Sequence, residues 1–171
     1  GIFGMGRIGK SLIHLLSNFN VKFLVNEIAP DIAFGRLYGV DFVSKEELLE
    51  KSDIVSVNVP LKSDTSNFIT MEDLKSMKNS AILINTARGG IVNEDDLYDA
   101  LKQNIIHSAA VDVFETEPYE GKLRELNNCV LTCHMGASTV ESRKDMEIEA
   151  VEEAIRFYNG NPLKYEVFSN E

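Results

Sequence analysis

At 171 residues, 44 % of them hydrophobic, the chain is long enough to bury a core and fits one ordinary domain or slightly more. Seventeen basic side chains stand against 27 acidic ones, and the net charge of -10 repels nucleic acid and anionic membrane surfaces. No apolar run approaches the ~20 residues of a membrane span, so the expectation is a cytoplasmic protein with no nucleic-acid and no membrane partner.

The chain opens with GIFGMGRIG, where Gly4, Gly6 and Gly9 take the G-x-G-x-x-G spacing. Gly1, Ile2 and Phe3 read as the end of a strand, and RIGKSLIHLLSNF as a helix starting near Arg7. In a nucleotide-binding loop Gly4 makes the tight turn, Gly6 lets backbone approach a pyrophosphate, and Gly9 lets the helix pack closely. The helix N-terminus then supplies the anion site. The spacing alone is ambiguous, since methyltransferases, flavoproteins and ordinary turns share it. A strand, VKFLVN, follows at 21 to 26, and Glu27 comes 18 residues after Gly9. A carboxylate there accepts hydrogen bonds from the adenosine ribose and repels a 2'-phosphate, which favours NAD over NADP. The bland reading of Glu27 is a solvated charge at a strand end.

Further apolar runs follow at DIVSVNVP (53 to 60), SAILINT (80 to 86), SAAVDVF (108 to 114) and CVLT (129 to 132). They are nearly continuous in apolar character, as strands covered on both faces are. Between them Ser44 with Glu47, Thr70 with Asp73 and Asn93 with Asp96 each set a capping side chain three residues before an acid. Helices therefore separate the strands. The alternation predicts an α/β fold, a doubly wound parallel sheet of Rossmann type with right-handed crossovers, and no linker divides the chain. Cys129 and Cys133 are four apart, ~13 Å along a strand, so neither a disulfide nor a zinc site is expected. His14 and His107 read as surface groups.

Three segments carry a resemblance. LLEKSDIVSVNVPLKSDTSNFITMEDLKSMKNSAILINTARGGIVNEDDLYDAL, AAVDVFETEP and LTCHMGAST follow one another in the order and spacing of the D-isomer-specific 2-hydroxyacid dehydrogenases. The chain resembles the NAD-binding domain of that family over nearly its whole length, and most of all the D-3-phosphoglycerate dehydrogenase branch.

The resemblance implies roles residue by residue. Arg88, in NTARGG, matches the arginine whose planar fork holds the substrate α-carboxylate. His134, in CHMGAS, matches the acid/base that takes or gives the hydroxyl proton. Glu117, in ETEP, matches the carboxylate that orients this histidine and favours its protonated form. Arg7 and Ile8 would meet the pyrophosphate, and Val59 with Pro60 the adenine. Thr65, Thr86, Ala87 and Arg88 would border the nicotinamide, Asp112 would hold its carboxamide, and His134, Gly136 and Ala137 would run along it. An unpaired acid inside an apolar strand costs several kcal/mol, so Asp112 has a function even without the resemblance. No metal is implied.

Two positions depart from the family pattern. Cys133 stands where proline is common, which loosens the backbone before His134, and Asn58 stands where histidine is frequent. Cys133 reads as a small apolar strand residue rather than an oxidisable thiol.

The resemblance also implies hydride transfer between NAD and a D-2-hydroxy acid, D-3-phosphoglycerate foremost, in serine biosynthesis. The alternatives are a glyoxylate, hydroxypyruvate or D-lactate type of reductase, or a non-enzymatic NAD sensor resembling the family's corepressors. Family members have two domains and dimerise. The expectation is therefore a homodimer whose chain here starts inside the first strand of the NAD-binding domain, occupying 1–171. Residues 139–171 would return toward a substrate domain, and NPLKYEV resembles the end of the short forms. Such a domain alone is expected to bind the nucleotide without turning over a 2-hydroxy acid.

Overall fold

Short segments, most of them apolar, build seven strands in the computed structural model, which describes residues 1–166. They are β1 Ile2–Phe3, β2 Phe23–Asn26, β3 Val40–Phe42, β4 Ile54–Val57, β5 Ile82–Asn85, β6 Ser108–Val111 and β7 Cys129–Leu131. All pair in parallel, in the order β3-β2-β1-β4-β5-β6-β7. The order reverses at β1, the switch point at which doubly wound sheets bind ligands beyond the carboxyl ends of their strands.

Five helices connect the strands: α1 Arg7–Leu16, α2 Ile32–Tyr38, α3 Lys45–Lys51, α4 Met71–Ser76 and α5 Glu94–Lys102. The expected caps are present. Ser44 Oγ accepts the Glu47 N–H, Asn93 Oδ1 accepts the Asp96 N–H, and Thr70 with Asp73 forms a reciprocal capping box. Helix α1 stops at Leu16, three residues short of the predicted end.

α2 and β3 lie outside the predicted runs. Asp31 caps α2 by accepting the Phe34 N–H, Gly39 closes it in the left-handed region at φ +67°, and β3 follows at once. Seven helical residues around Gly35, then a three-residue edge strand with Asp41 at its centre, give almost no periodic signal.

The core forms two clusters. The larger gathers Leu48, Leu49, Val55, Leu74, Leu83, Leu97 and Leu101; the smaller gathers Ile2, Met5, Ile13, Phe23 and Val25. Burying each such side chain is worth about 1.5–3 kcal/mol, and Leu83→Ala at a fully enclosed position on a central strand costs roughly 2–5 kcal/mol.

The chain divides into two compact units, Gly1–His134 and Met135–Glu171. The second, part of which the sequence sets apart as a return segment, holds α6, Val140–Tyr158. Thr139 caps α6 by accepting the Ser142 N–H. Glu153 Oε2 accepts the N–H groups of Lys164 and Tyr165, which ties the following segment back to the helix. The last residue of NPLKYEV, Val167, lies outside the described residues. Among the described residues no helix is long and apolar enough to cross a membrane.

Candidate active site

One register row crosses six strands, with Asn26, Phe3, Val57, Asn85, Val111 and Leu131 as successive partners. Gly4, Glu27, Val59, Pro60, Thr86, Ala87, Arg88, Asp112 and His134 all follow that row by one to three positions. Because the strands are parallel, residues scattered over 131 positions of sequence emerge along one edge of the sheet.

The glycine loop occupies the middle of this edge. Gly4 turns at φ +87°, and a Cβ there would sit 2.9 Å from the Asn58 carbonyl oxygen. A Cβ on Gly9 would meet the Gly4 oxygen at 2.3 Å, so α1 leans directly on the loop. Beside Gly6 the space is open, with nothing within 4 Å of an added Cβ. Gly6 caps α1 without a side chain, so the first-turn N–H groups have no capping oxygen from it. Glu27 Oε2 accepts the Met5 N–H at 2.6 Å and Oε1 accepts the Ala29 N–H at 3.1 Å. Each carboxylate oxygen keeps a lone pair for a further donor. An open glycine turn, a helix start and an oriented carboxylate fit a dinucleotide. Arg7 and Ile8 begin α1, and Val59 lies against Gly4, 3.1 Å from where its Cβ would be. Thr65 is committed locally: its hydroxyl donates to the Pro60 carbonyl at 2.6 Å and accepts the Lys62 N–H at 2.7 Å. That closes the turn after β4.

Arg88, Glu117 and His134 line one hollow of about 510 Å³, together with Leu61, Phe114 and Glu115. A larger hollow of about 740 Å³ sits at the amino ends of the strands, against Gly1, Phe23 and Ile54, and contains none of these groups. Glu117 is the hinge of the smaller one. Its Oε1 accepts the Phe114 N–H at 3.0 Å and its Oε2 lies 3.0 Å from His134 Nδ1. The His134 hydrogen bond, then that of Phe114, holds the Glu117 carboxyl below the usual carboxylate range. With Glu117 ionised, Nδ1 carries the hydrogen of this bond, which leaves Nε2 as the ring nitrogen not engaged by Glu117.

His134 itself adopts φ +53°, a left-handed conformation that costs a non-glycine residue about 1–2 kcal/mol. Two contacts hold it there: the Glu117 bond, and its own N–H donating to the Asp112 carbonyl at 2.7 Å. Asp112 is buried, and its carboxylate accepts the Thr132 hydroxyl. The exposed Arg88 fork folds back so that Nη1 donates to the Ala87 carbonyl at 2.6 Å.

The other residues singled out in the sequence take the following places. Gly136 and Ala137 belong to the second unit, in a turn closed by the Ser138 N–H donating to Met135 O. Cys133 is not a packed strand residue: β7 ends at Leu131, and Cys133 is exposed beyond it. Both thiols are free, and burial pushes that of Cys129 up to about 11. His14 and His107 are exposed, His14 with its Nδ1 2.9 Å from the Tyr38 hydroxyl. Among the described residues no group of three or more His, Cys, Asp or Glu is placed to hold a metal ion.

Sequence reasoning overlooked Asn85, Gly89 and Thr132. Asn85 ends an apolar run, Gly89 follows Arg88, and Thr132 follows a strand; a buried polar partner or a forced backbone approach leaves no spacing pattern in any of them.

The fold and this edge define a dinucleotide-binding domain of the Rossmann type. Residues 1–136 match the profile of the D-isomer specific 2-hydroxyacid dehydrogenase, NAD binding domain, and the chain belongs to that family, whose cofactor is NAD. It is 39 % identical over 155 residues to glyoxylate reductase 1 of Saccharomyces cerevisiae, covering 90 % of this chain and 44 % of the relative. Among solved structures, a glyoxylate reductase from Paecilomyes thermophila matches with a TM-score of 0.91 at 29 % identity, over 100 % of this chain and 52 % of the other. The NAD-complexed D-isomer specific 2-hydroxyacid dehydrogenase of Lactobacillus delbrueckii ssp. bulgaricus matches with a TM-score of 0.87 at 27 % identity, over 98 % and 55 %. The chain thus spans about half the length of the curated relatives it matches.

Proposed function

We propose that the whole protein is an NAD-dependent reductase of a small 2-keto acid carrying a single carboxylate, of the glyoxylate or hydroxypyruvate kind, and that Arg88, Glu117 and His134 are its reacting groups. The observation that carries this reading is the charge of the hollow: Arg88 stands against two carboxylates, Glu115 and Glu117. The arginine fork matches one carboxylate, whereas a second anionic group on the substrate would meet the acids. Phosphoglycerate, the substrate expected first from the sequence, is therefore the weaker reading. The names of the relatives point the same way.

In this reading Gly4, Gly6 and Gly9 with the start of α1 hold the pyrophosphate, Glu27 the adenosine ribose, Val59 and Pro60 the adenine, and Asp112 the carboxamide. Thr65, Thr86 and Ala87 complete the nicotinamide side. Bound NADH supplies a hydride. Arg88 binds the keto acid's carboxylate and draws electron density from the adjacent carbonyl. His134 Nε2 delivers a proton to the carbonyl oxygen as it becomes a hydroxyl. Glu117 keeps that imidazole in the tautomer and orientation the transfer needs and stabilises its cationic form. Residues 139–171 are read as leading toward a substrate domain. A cytoplasmic homodimer belongs to the same reading and rests on the family resemblance.

The test is a substrate panel with the full-length protein, following NADH at 340 nm. Glyoxylate or hydroxypyruvate should give the highest kcat/KM. Preference for 3-phosphohydroxypyruvate would restore the phosphoglycerate reading, and NADH binding with no turnover of any acid would favour the sensor.

A further inference from the structure

The Arg88 fork stands on three residues, Thr86, Ala87 and Arg88, that leave the end of β5 and have no helix or strand of their own. Asn85, the last residue of β5, supports them from below. It is 2 % exposed, and both ends of its side-chain amide are hydrogen-bonded within this turn. Oδ1 accepts the Ala87 N–H at 3.1 Å and Nδ2 donates to the Arg88 carbonyl at 3.1 Å. A buried amide with both ends paired is worth keeping only as a unit, because removing one end leaves a desolvated backbone group. Asn85 also spans to the next strand, where its carbonyl accepts the Asp112 N–H at 3.0 Å. One residue thus joins the Arg88 turn to the strand end that carries Asp112, whose carbonyl in turn holds the His134 N–H.

We infer that Asn85 is a positioning residue whose buried amide sets the height and direction of Arg88 above the sheet edge, and so sets the affinity for the keto acid. The inference rests on the reading of Arg88 as the carboxylate-binding residue. Oxygen alone would not serve: the turn needs one acceptor for Ala87 and one donor for Arg88 on a planar group two bonds from the strand. Aspartate has that shape but, when ionised, lacks the donor and sets a negative charge against the Arg88 carbonyl. When protonated, it regains an O–H donor beside its C=O acceptor. Burial raises a carboxyl pKa, so the protonated form lies within reach of a kinetic assay. The charged groups closest in connection are Arg88 on the same turn and Asp112 at the end of β6; the β4 neighbour Val57 adds none.

The experiment compares wild type, Asn85→Ala, Asn85→Asp and Arg88→Ala in the full-length protein with glyoxylate, alongside NADH titration by fluorescence and thermal melts. Asn85→Ala should raise the keto-acid KM roughly tenfold or more with a smaller fall in kcat, while the NADH Kd stays within about twofold. Asn85→Asp should behave likewise near neutral pH. Its activity relative to wild type should then rise as pH falls from about 8 to about 5.5, and the corresponding ratio for Asn85→Ala should stay flat. Taking ratios cancels any pH effect common to all variants. A KM for Asn85→Ala within about twofold of wild type, with Arg88→Ala strongly impaired, overturns the inference and leaves the reading of Arg88 intact. So does an Asn85→Asp ratio that tracks the flat alanine ratio, or an equal loss of NADH affinity. An unchanged KM in Arg88→Ala overturns the reading of Arg88 and the inference with it.

Discussion

Gly89→Ala adds a single methyl group at the most crowded glycine near the hollow. An ideal Cβ there falls 2.0 Å from the Phe114 carbonyl carbon, 2.1 Å from its oxygen and 2.4 Å from the Glu115 nitrogen. All three are backbone atoms, so no rotamer change relieves the contact. Carbon atoms pack best ~3.5–4.0 Å apart, which requires the two loops to part by about 1.5 Å or more. The Phe114 N–H anchors Glu117, and Glu117 anchors His134, so the parting carries the proposed acid/base pair away from Arg88. Overpacking of this kind costs roughly 1–3 kcal/mol, which lowers the Tm of a domain of this size by roughly 2–12 °C. Misplacement by about 1 Å costs on the order of a hundredfold in rate. Stopped or steady-state kinetics with glyoxylate should therefore show kcat/KM down by roughly 10²-fold, with NADH affinity, set largely at the glycine loop, little changed. A variant with kcat/KM within threefold of wild type and an unshifted melt would refute the reasoning.

Three further substitutions probe the rest of the edge. Glu27→Gln removes the charge at the proposed ribose site while keeping its shape, and should narrow the expected preference for NADH over NADPH by about 1 kcal/mol, roughly fivefold in the ratio of Kd values; an unchanged ratio places the discrimination elsewhere. His134→Ala should lower kcat by roughly 10²–10⁴-fold with the NADH Kd within twofold, and a comparable loss of NADH affinity would move His134 out of the acid/base role. For Glu117→Gln the sign follows from the lowered carboxyl pKa. The native clasp stabilises above the ordinary carboxylate pKa and is lost as pH falls through the folded value, so wild type should melt higher at pH 7 and the two should converge below roughly pH 4. Parallel melting curves across that range would contradict the clasp.

Most strands that enclose the core were legible because they lie in short apolar runs, and the helices because Ser44, Thr70 and Asn93 announce their starts. α2 and β3 were not, since an edge strand of three residues with an aspartate at its centre carries neither alternation nor a continuous apolar run. The glycine loop was legible because close approach leaves only glycine at 4 and 9. Gly89 obeys the same rule, but its neighbour, Phe114, is 25 residues away and is brought to it by the β5 to β6 crossover. Asn85 and Thr132 were hidden for a related reason: a polar residue at a strand end looks like a solvated one until the fold shows it buried or bonded to its neighbour. Cys133 was misread because the apolar run NCVLTC does not reveal that the strand stops at Leu131.

Amide chemical shifts of the isotopically labelled 171-residue chain during titration with NADH test most directly that the nucleotide lies along the carboxyl edge of the sheet. Perturbations should concentrate at Met5, Arg7, Ile8, Ala29, Ala87, Asp112 and His134, while Lys22, Asp53, Ala81 and His107, at the amino ends of the strands, stay in place. No saturable shift, or shifts gathered at those amino ends around the larger hollow, would contradict the assignment.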